Sequence, residues 1–116
     1  MSESALKVAE TRSGQVYIVA VSGRIDSTNA NELLARLNSL FSSGEKILLV
    51  DLKGVLYLTS AAFRVLLVAT DEAERNASRF VLCSVLGQVR ELFEMGGLLD
   101  AFTILGSREE AVAQLG

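Results

Sequence analysis

Hydrophobic and polar positions along this chain follow two periods, one typical of strands and the other of helices. Residues 5–12 alternate loosely, with Leu6 and Val8 inward and Lys7 outward, which indicates a half-exposed strand. After a short Ser-Gly turn, residues 15–22 (QVYIVAVS) are almost continuously apolar and rich in β-branched side chains. Such a run is typical of a central strand, and the two segments together predict an opening hairpin.

A break at residues 23–27 separates the hairpin from a segment with helical spacing. Asp26, Ser27 and Thr28 are residue types that cap helix N-termini, and the Ser-Ser-Gly of residues 42–44 is an end signal. The helical period places one apolar stripe along this segment. The members of the stripe are Ala30, Leu33, Leu34, Leu37, Leu40 and Phe41.

The stretch over residues 48–68 organises the centre of the chain. A buried strand at residues 46–52 is followed by a short glycine-containing link, after which Thr59 and Ser60 open a second helix. Ser60 then lies at or beside the helix N-terminus, where a hydroxyl has two physical uses. It can cap orphan backbone N–H groups, or it can carry a phosphate that those groups and the helix dipole stabilise.

The last third of the chain repeats the alternation of strand and helix. Residues 79–85 (RFVLCSV) predict a third buried strand, and Gly87–Met95 predicts a short helix that two glycines end. Residues 102–105 predict a brief last strand. Residues 107–110 (SREE) form a capping box that opens a C-terminal helix.

The predicted order of elements is β-β-α-β-α-β-α-β-α, in a single domain over residues 1–116. Strands that alternate with helices need right-handed crossovers and pair mostly in parallel, while the opening hairpin adds an antiparallel edge. We therefore expect an α/β fold built on a mixed, mostly parallel sheet with an N-terminal hairpin. A chain of 116 residues, half of them hydrophobic, is long enough to bury one core without disulfides or metal.

The charge pattern argues against nucleic acid and membrane as partners. The formal net charge is −3 and no basic cluster occurs, so nucleic-acid binding is not expected. The N-terminus lacks the pattern of a signal peptide, and no apolar run approaches the ~20 residues that span a bilayer. We expect a cytoplasmic protein without membrane insertion, in which the lone Cys83 is a buried structural thiol.

The residue types that most enzymes need are missing. The sequence contains no histidine, the commonest general base and neutral metal ligand, so its single cysteine has no imidazole partner. Neither GxxxxGK[ST] nor GxGxxG occurs, so no phosphate-binding glycine loop is predicted. We predict no catalytic residues, no metal site and no bound cofactor, and we expect that the protein is not an enzyme.

Two short motifs resemble one known family. The stretch VDLKGVLYLTSAAFRVLL is similar to the signature region of STAS domains, the fold of the bacterial anti-sigma factor antagonists. In that family D-L-x-G-V-x-x-[IV]-D-S-S-G-L leads from a buried strand into a helix. Residues 51–55 (DLKGV) match its first half, and Ser60 falls on the serine that partner kinases phosphorylate. At the preceding strand–helix junction, residues 23–26 (GRID) with Ala30 fit the family's G-x-[LI]-D-x-x-x-A pattern.

The resemblance implies a non-enzymatic partner-switching regulator. An anti-sigma-type serine kinase would phosphorylate Ser60 and dissociate, and a metal-dependent phosphatase would reset the system, with ATP belonging to the kinase. Arg64, four residues after Ser60, could donate a charge-assisted hydrogen bond to the phosphate, or it could be a solvated helix residue. The resemblance also places the loop of Asp26 beside the loop of Ser60. The implied partner-binding residues are Asp26, Ser27, Thr59, Ser60, Ala61 and Arg64.

The sequence departs from the typical family pattern inside this same loop. Thr59 stands where typical members have Asp, and Ala61, Ala62 and Phe63 replace Ser, Gly and Leu. Because Thr59 lacks the negative charge of that Asp, a second hypothesis stays open, in which the chain is a non-switching STAS interaction module. Such a module would serve in a stressosome-like scaffold or as the cytoplasmic subunit of a lipid transporter. A third class, an enzyme or small-ligand binder, has the least support because no catalytic constellation occurs.

Overall fold

Five strands and four α-helices alternate along the chain, in a computed structural model that describes residues 6–116. The strands are β1 (Leu6–Ser13), β2 (Val16–Ile25), β3 (Ile47–Leu58), β4 (Arg79–Cys83) and β5 (Thr103–Leu105). The helices are α1 (Ala30–Ser42), α2 (Ser60–Arg75), α3 (Gly87–Met95) and α4 (Arg108–Leu115), with a short 3-10 helix at Leu99–Ala101. Ala5, the first residue of the predicted edge strand, lies outside the described residues.

The sheet has the strand order β1-β2-β3-β4-β5. β1 and β2 form the antiparallel hairpin, with Leu6 opposite Gly23 and Ser13 opposite Val16. Every later pair of neighbours is parallel, so each connection needs a crossover that carries a helix. The predicted α/β class, the order of elements and the mixed, mostly parallel sheet with an N-terminal hairpin are therefore confirmed.

The two faces of the sheet are covered by different helices. α1, α2 and α3 pack on one face, where Leu33, Leu66 and Phe93 are fully buried against the alternate side chains of the central strands. α4 packs on the other face, where Ala111 and Leu115 contact a second apolar cluster. Among residues 6–116, no helix is both long and apolar enough to cross a membrane. The predicted inward residues of α1 are confirmed as buried or half-buried: Ala30, Leu33, Leu34, Leu37, Leu40 and Phe41.

Two strands are longer than the pattern predicts, and the prediction is wrong at this point. The pattern ends one strand at Ser22, yet β2 continues to Ile25. It places a link after Leu52, yet β3 continues to Leu58. The extra residues pair with one another across the two strands, and the register shifts twice along the way. These shifts break both the continuous apolar run and the clean alternation that identify a strand in a sequence.

The last elements differ from the prediction only at their ends. β4 ends at Cys83, two residues early, because Ser84 adopts a left-handed backbone conformation with φ of 61°. Cys83 is completely buried, as predicted, and this burial raises the pKa of its thiol to about 11. β5 begins one residue late, at Thr103. At the start of α4, the predicted cap is present, since the backbone N–H of Glu110 donates to Oγ of Ser107 at 3.1 Å.

Candidate functional site

Ser60 is the first residue of α2, and it is exposed to solvent. β3 pairs with β4 only as far as Asp51, so its last residues project beyond the carboxyl end of β4 and carry the chain to the edge of the sheet. Among the residues that the structure describes, the Ser60 hydroxyl has no hydrogen-bond partner and caps nothing. Of the two uses that a hydroxyl has at this position, capping is not the one that Ser60 serves.

The N-terminus of α2 is open to an anion. The N-cap residue is Thr59, whose side chain makes no capping bond, and the first turn holds no acidic residue. The backbone N–H groups of Ser60 and Ala61 lie in the turn where an α-helix has no internal acceptors. By contrast, α4 starts with a serine cap and two glutamates in its first turn. The dipole and the N–H groups of α2 would therefore stabilise a negative charge at Ser60.

The side chain of Thr59 turns towards β2 instead of capping α2. Its backbone N–H donates to the carbonyl oxygen of Ile25 at 3.1 Å, and its hydroxyl donates to the same oxygen at 3.4 Å. Ile25 is the last residue of β2, so the loop that begins at Asp26 lies directly beside the loop that contains Ser60. The structure thus brings together the two loops that the family resemblance places side by side.

Asp26 organises a polar turn ahead of α1. The hydroxyl and the backbone N–H of Thr28 both donate to Oδ1 of Asp26, and these bonds lower the pKa of the carboxyl below its usual value. The N-cap of α1 is Asn29, so the regular helix begins later than predicted, while Asp26 makes the predicted capping-type bond to the N–H of Thr28 in the preceding turn. Asn29 is buried because it ties this turn to β2: its side chain accepts from the N–H of Asp26 and donates to the carbonyl of Arg24.

The remaining predicted partner-binding residues differ in exposure. Ser27 and Arg64 are exposed, and within residues 6–116 Arg64 forms no ion pair, so its guanidinium group is open to a phosphate or a partner. Ala61 is half-buried and packs against the core between the sheet and α1–α3, which leaves only part of it accessible. The exposed surface of the loop is therefore polar at Ser60 and cationic one turn further along α2.

Sequence reasoning missed two apolar side chains in the segment that leads to Ser60. At the second register shift, β2 advances from Gly23 to Arg24 while β3 advances from Val55 to Tyr57. The skipped residue is Leu56, which is 68% exposed, and Tyr57 beside it is 38% exposed. A bulge of this kind directs a side chain away from the sheet. The apolar run VLYL at residues 55–58 could have indicated an apolar surface here, but the pattern predicts that this segment is a link.

An ion pair between a buried carboxylate and a partly exposed arginine lies on the α4 side of the sheet. Asp51 in β3 is 4% exposed; its Oδ1 accepts from the backbone N–H of Lys53 at 2.9 Å, and its Oδ2 accepts from Nε of Arg108 at 2.8 Å. Burial alone would raise the pKa of this carboxyl, but the bonds from Lys53, Arg108 and Ser84 outweigh it and hold the pKa below its usual value. Residues 6–116 contain no group of three or more His, Cys, Asp or Glu side chains that could hold a metal ion.

Comparison with known proteins shows similarity in both sequence and fold. The sequence model of the STAS domain matches residues 7–111. BtrV of Bordetella bronchiseptica, a relative named as an anti-sigma factor antagonist, is 32% identical over 108 residues, which cover 93% of each chain. An anti-sigma factor antagonist from Mycobacterium paratuberculosis has a TM-score of 0.84 at 20% identity, over 95% of this chain and 93% of that one. The phosphorylated form of the Bacillus cell fate determinant SpoIIAA has a TM-score of 0.72 at 16% identity, over 97% of this chain and 100% of that one.

Proposed function

The chain belongs to the STAS domain family, and on that premise we propose that it is a partner-switching regulator of the anti-sigma factor antagonist type. With Ser60 unmodified, it binds an anti-sigma-type serine kinase in the cytoplasm and frees whatever that kinase holds. Phosphorylation of Ser60 by the kinase ends the complex. A metal-dependent phosphatase then restores the binding form.

The exposed hydroxyl of Ser60 is the observation that carries this proposal, because a nucleophile has to enter the active site of another protein. Its Oγ attacks the γ-phosphorus of ATP held by the kinase. The bond from that phosphorus to the β,γ-bridging oxygen breaks, ADP leaves, and a base of the kinase takes the hydroxyl proton. In the reset, a metal-activated water of the phosphatase attacks the phosphorus and releases Ser60 and inorganic phosphate.

The fold accommodates a phosphate at this position without a change of shape. The modification adds roughly 1.5 to 2 negative charges at pH 7. The open N-terminus of α2 stabilises such a charge by about 0.3–1 kcal/mol. One turn further along the helix lies the guanidinium of Arg64, which forms no ion pair within residues 6–116. The added charge therefore changes what the surface can bind and leaves the domain folded.

The partner surface does not accommodate the same charge. Leu56 and Tyr57 supply exposed apolar area in the segment before Ser60, and such side chains become the desolvated centre of an interface. An unpaired charge buried there costs about 2–5 kcal/mol. A penalty of about 3 kcal/mol weakens binding by roughly a hundredfold, which is enough to release the kinase.

The proposal is tested by incubating the protein with an anti-sigma-type serine kinase from the same genome and Mg-ATP, and mapping the product by mass spectrometry. We expect one phosphate on Ser60 and none in Ser60→Ala. Thr59→Ala is the matched control, since it removes the adjacent hydroxyl and should be phosphorylated like the wild type. Modification that persists in Ser60→Ala and vanishes in Thr59→Ala would assign the site to Thr59 instead.

A non-switching STAS module is the second candidate, and the conformation of Thr59 favours it. Typical family members carry an Asp at this position, whereas the half-buried Thr59 directs its hydroxyl to Ile25 and adds no charge to the loop. Affinity of the kinase for Ser60→Ala and Ser60→Asp separates the two candidates. Loss of binding in Ser60→Asp alone supports the switch, and equal binding of both variants supports the static module.

A further inference from the structure

Within residues 6–116, part of the α4 side of the sheet is left uncovered beside the middle of β2 and β3. We propose that this area binds a small molecule through a phosphate group, which is held between Lys7 and Lys53 beside the hydroxyl of Ser22. The area forms a cavity of about 650 Å³, which we call the basin. The basin is lined by three cationic residues, one carboxylate and several small residues. They are Lys7, Lys53, Arg108, Asp51, Ala9, Ala20, Ser22 and Gly54.

The basin exists because α4 is too short to cover the whole face. Ala111 and Leu115 of α4 pack over the amino-terminal halves of the central strands, where Val16 and Ile47 lie. Beyond that point the face carries small side chains, since Ala9 of β1 lies opposite Ala20 of β2 and Ser22 lies opposite Gly54 of β3. Small residues over three adjacent strands leave a depression that no other part of residues 6–116 fills.

The basin carries a net positive charge, although the formal net charge of the chain is −3. Lys7, Lys53 and Arg108 contribute three cations, and Asp51 contributes one carboxylate, which leaves an excess of two positive charges. Both oxygens of that carboxylate are already bonded, to the backbone of Lys53 and to Arg108. Glu109 and Glu110 lie in the adjoining cavity and do not line the basin.

The two lysines of the basin have no carboxylate partner among the described residues. Within residues 6–116, Lys7 and Lys53 form no ion pair, whereas Arg12, Arg36 and Arg108 each lie within 3 Å of a carboxylate. The hydroxyl of Ser22 likewise has no hydrogen-bond partner in the described part of the chain. An anion in the basin could therefore accept hydrogen bonds from these three groups, which have no other partner within residues 6–116.

The register of the strands brings these donors to one place. Lys7 of β1 lies opposite Ser22 of β2, and Ser22 lies opposite Gly54 of β3, the residue after Lys53. Neighbouring strands are about 4.8 Å apart, so the two lysine backbones stand about 10 Å apart with Ser22 midway between them. Two ammonium groups that lean inward from both sides can share one anion, which the Ser22 hydroxyl contacts from below.

The donor types favour a phosphate over a carboxylate. A planar carboxylate is best matched by two parallel N–H groups of an arginine, and in Arg108 the side of the guanidinium that includes Nε is occupied by Asp51. Lysine ammonium groups act as point charges and suit a tetrahedral oxyanion with acceptors on several sides. The methyl groups of Ala9 and Ala20 extend the basin with an apolar floor, which would receive the organic part of a phosphate monoester.

The proposal is tested by titrating the ¹⁵N-labelled protein with phenyl phosphate, inorganic phosphate and phenol while amide shifts are followed by NMR. We expect saturable shifts at Lys7, Ser22 and Lys53 with phenyl phosphate. Inorganic phosphate should produce the same shifts with weaker affinity, and phenol should produce none. Equal affinity for both phosphates would assign the basin to free phosphate rather than to an ester.

The variant Lys7→Gln/Lys53→Gln should weaken phenyl phosphate binding by at least about tenfold. The matched control is Lys46→Gln/Arg79→Gln, which removes the same charge from exposed residues at the opposite end of the sheet. Equal weakening by both double variants, or no saturable shift in the wild type, would overturn the proposal. Ser60→Ala should bind phenyl phosphate normally, so the result is independent of the kinase experiment.

Discussion

Nε of Arg108 lies 2.8 Å from Oδ2 of Asp51, and this contact joins the first residue of α4 to the strand that leads to Ser60. The other carboxylate oxygen accepts from the backbone N–H of Lys53, at the first register shift between β2 and β3. One buried carboxylate thus holds both the C-terminal helix and the irregular end of β3.

Arg108→Ala is expected to lower the free energy of unfolding by about 1–2 kcal/mol, because it removes the partly exposed cation that bonds the buried carboxylate of Asp51. Arg90→Ala is the matched control: Arg90 and Glu94 are both about half exposed and 3.8 Å apart, so its loss should cost less than about 0.5 kcal/mol. Urea unfolding of both variants measures the difference. Equal costs would show that the Asp51 pair contributes no more than a surface pair.

The free energy of unfolding should fall in acid, partly because Asp51 becomes protonated. Its pKa in the folded protein lies below the ordinary value of 3.8, so its contribution is present above that pH and is lost as the pH falls through the folded pKa. Asp51→Asn removes this titration while Arg108 remains. We expect the variant to be less stable than the wild type at about pH 7 and the gap to narrow towards about pH 3, as followed by urea unfolding. A constant gap would contradict the assignment.

Ser60→Asp should stabilise the domain, because a carboxylate at the open N-terminus of α2 interacts favourably with the helix dipole. The expected gain in the free energy of unfolding is about 0.3–1 kcal/mol at low salt, and it should shrink as salt is added. Ser42→Asp places the same charge in the last turn of α1 and should be destabilising. A Ser60→Asp variant that loses stability would argue against room for a phosphate there.

Gly54→Ala should destabilise the domain by about 1–3 kcal/mol through overpacking. A Cβ at position 54 would lie 2.6 Å from Cβ of Ser22, so the two strands would have to separate. Ser22→Gly removes the clashing atom, and in the double variant it should recover part of the loss measured by urea unfolding. Additive costs in the double variant would mean that the close approach of the strands is not the cause.

The family motifs pointed to the candidate site, but the contacts that shape it join residues far apart in the sequence. Asp51 and Ser60 were both identified because they stand in a recognisable local pattern. Arg108 was not, since it lies 57 positions after Asp51 and nothing near it in the sequence indicates a buried carboxylate partner. The exposure of Leu56 was missed for a similar reason, because a register shift exists only between two strands and leaves no period in either one.

The sequence by itself determined the order of strands and helices, the inward face of α1, the burial of Cys83 and the position of Ser60 at the start of a helix. These features depend on the spacing of neighbouring residues, which can be read directly from the sequence. Only the tertiary structure decided that β2 and β3 continue as paired strands through two register shifts. It also decided that Thr59 bonds to Ile25 and leaves α2 uncapped, and that Lys7 and Lys53 flank Ser22. Those relations arise when segments far apart in sequence pack together, so no local pattern contains them.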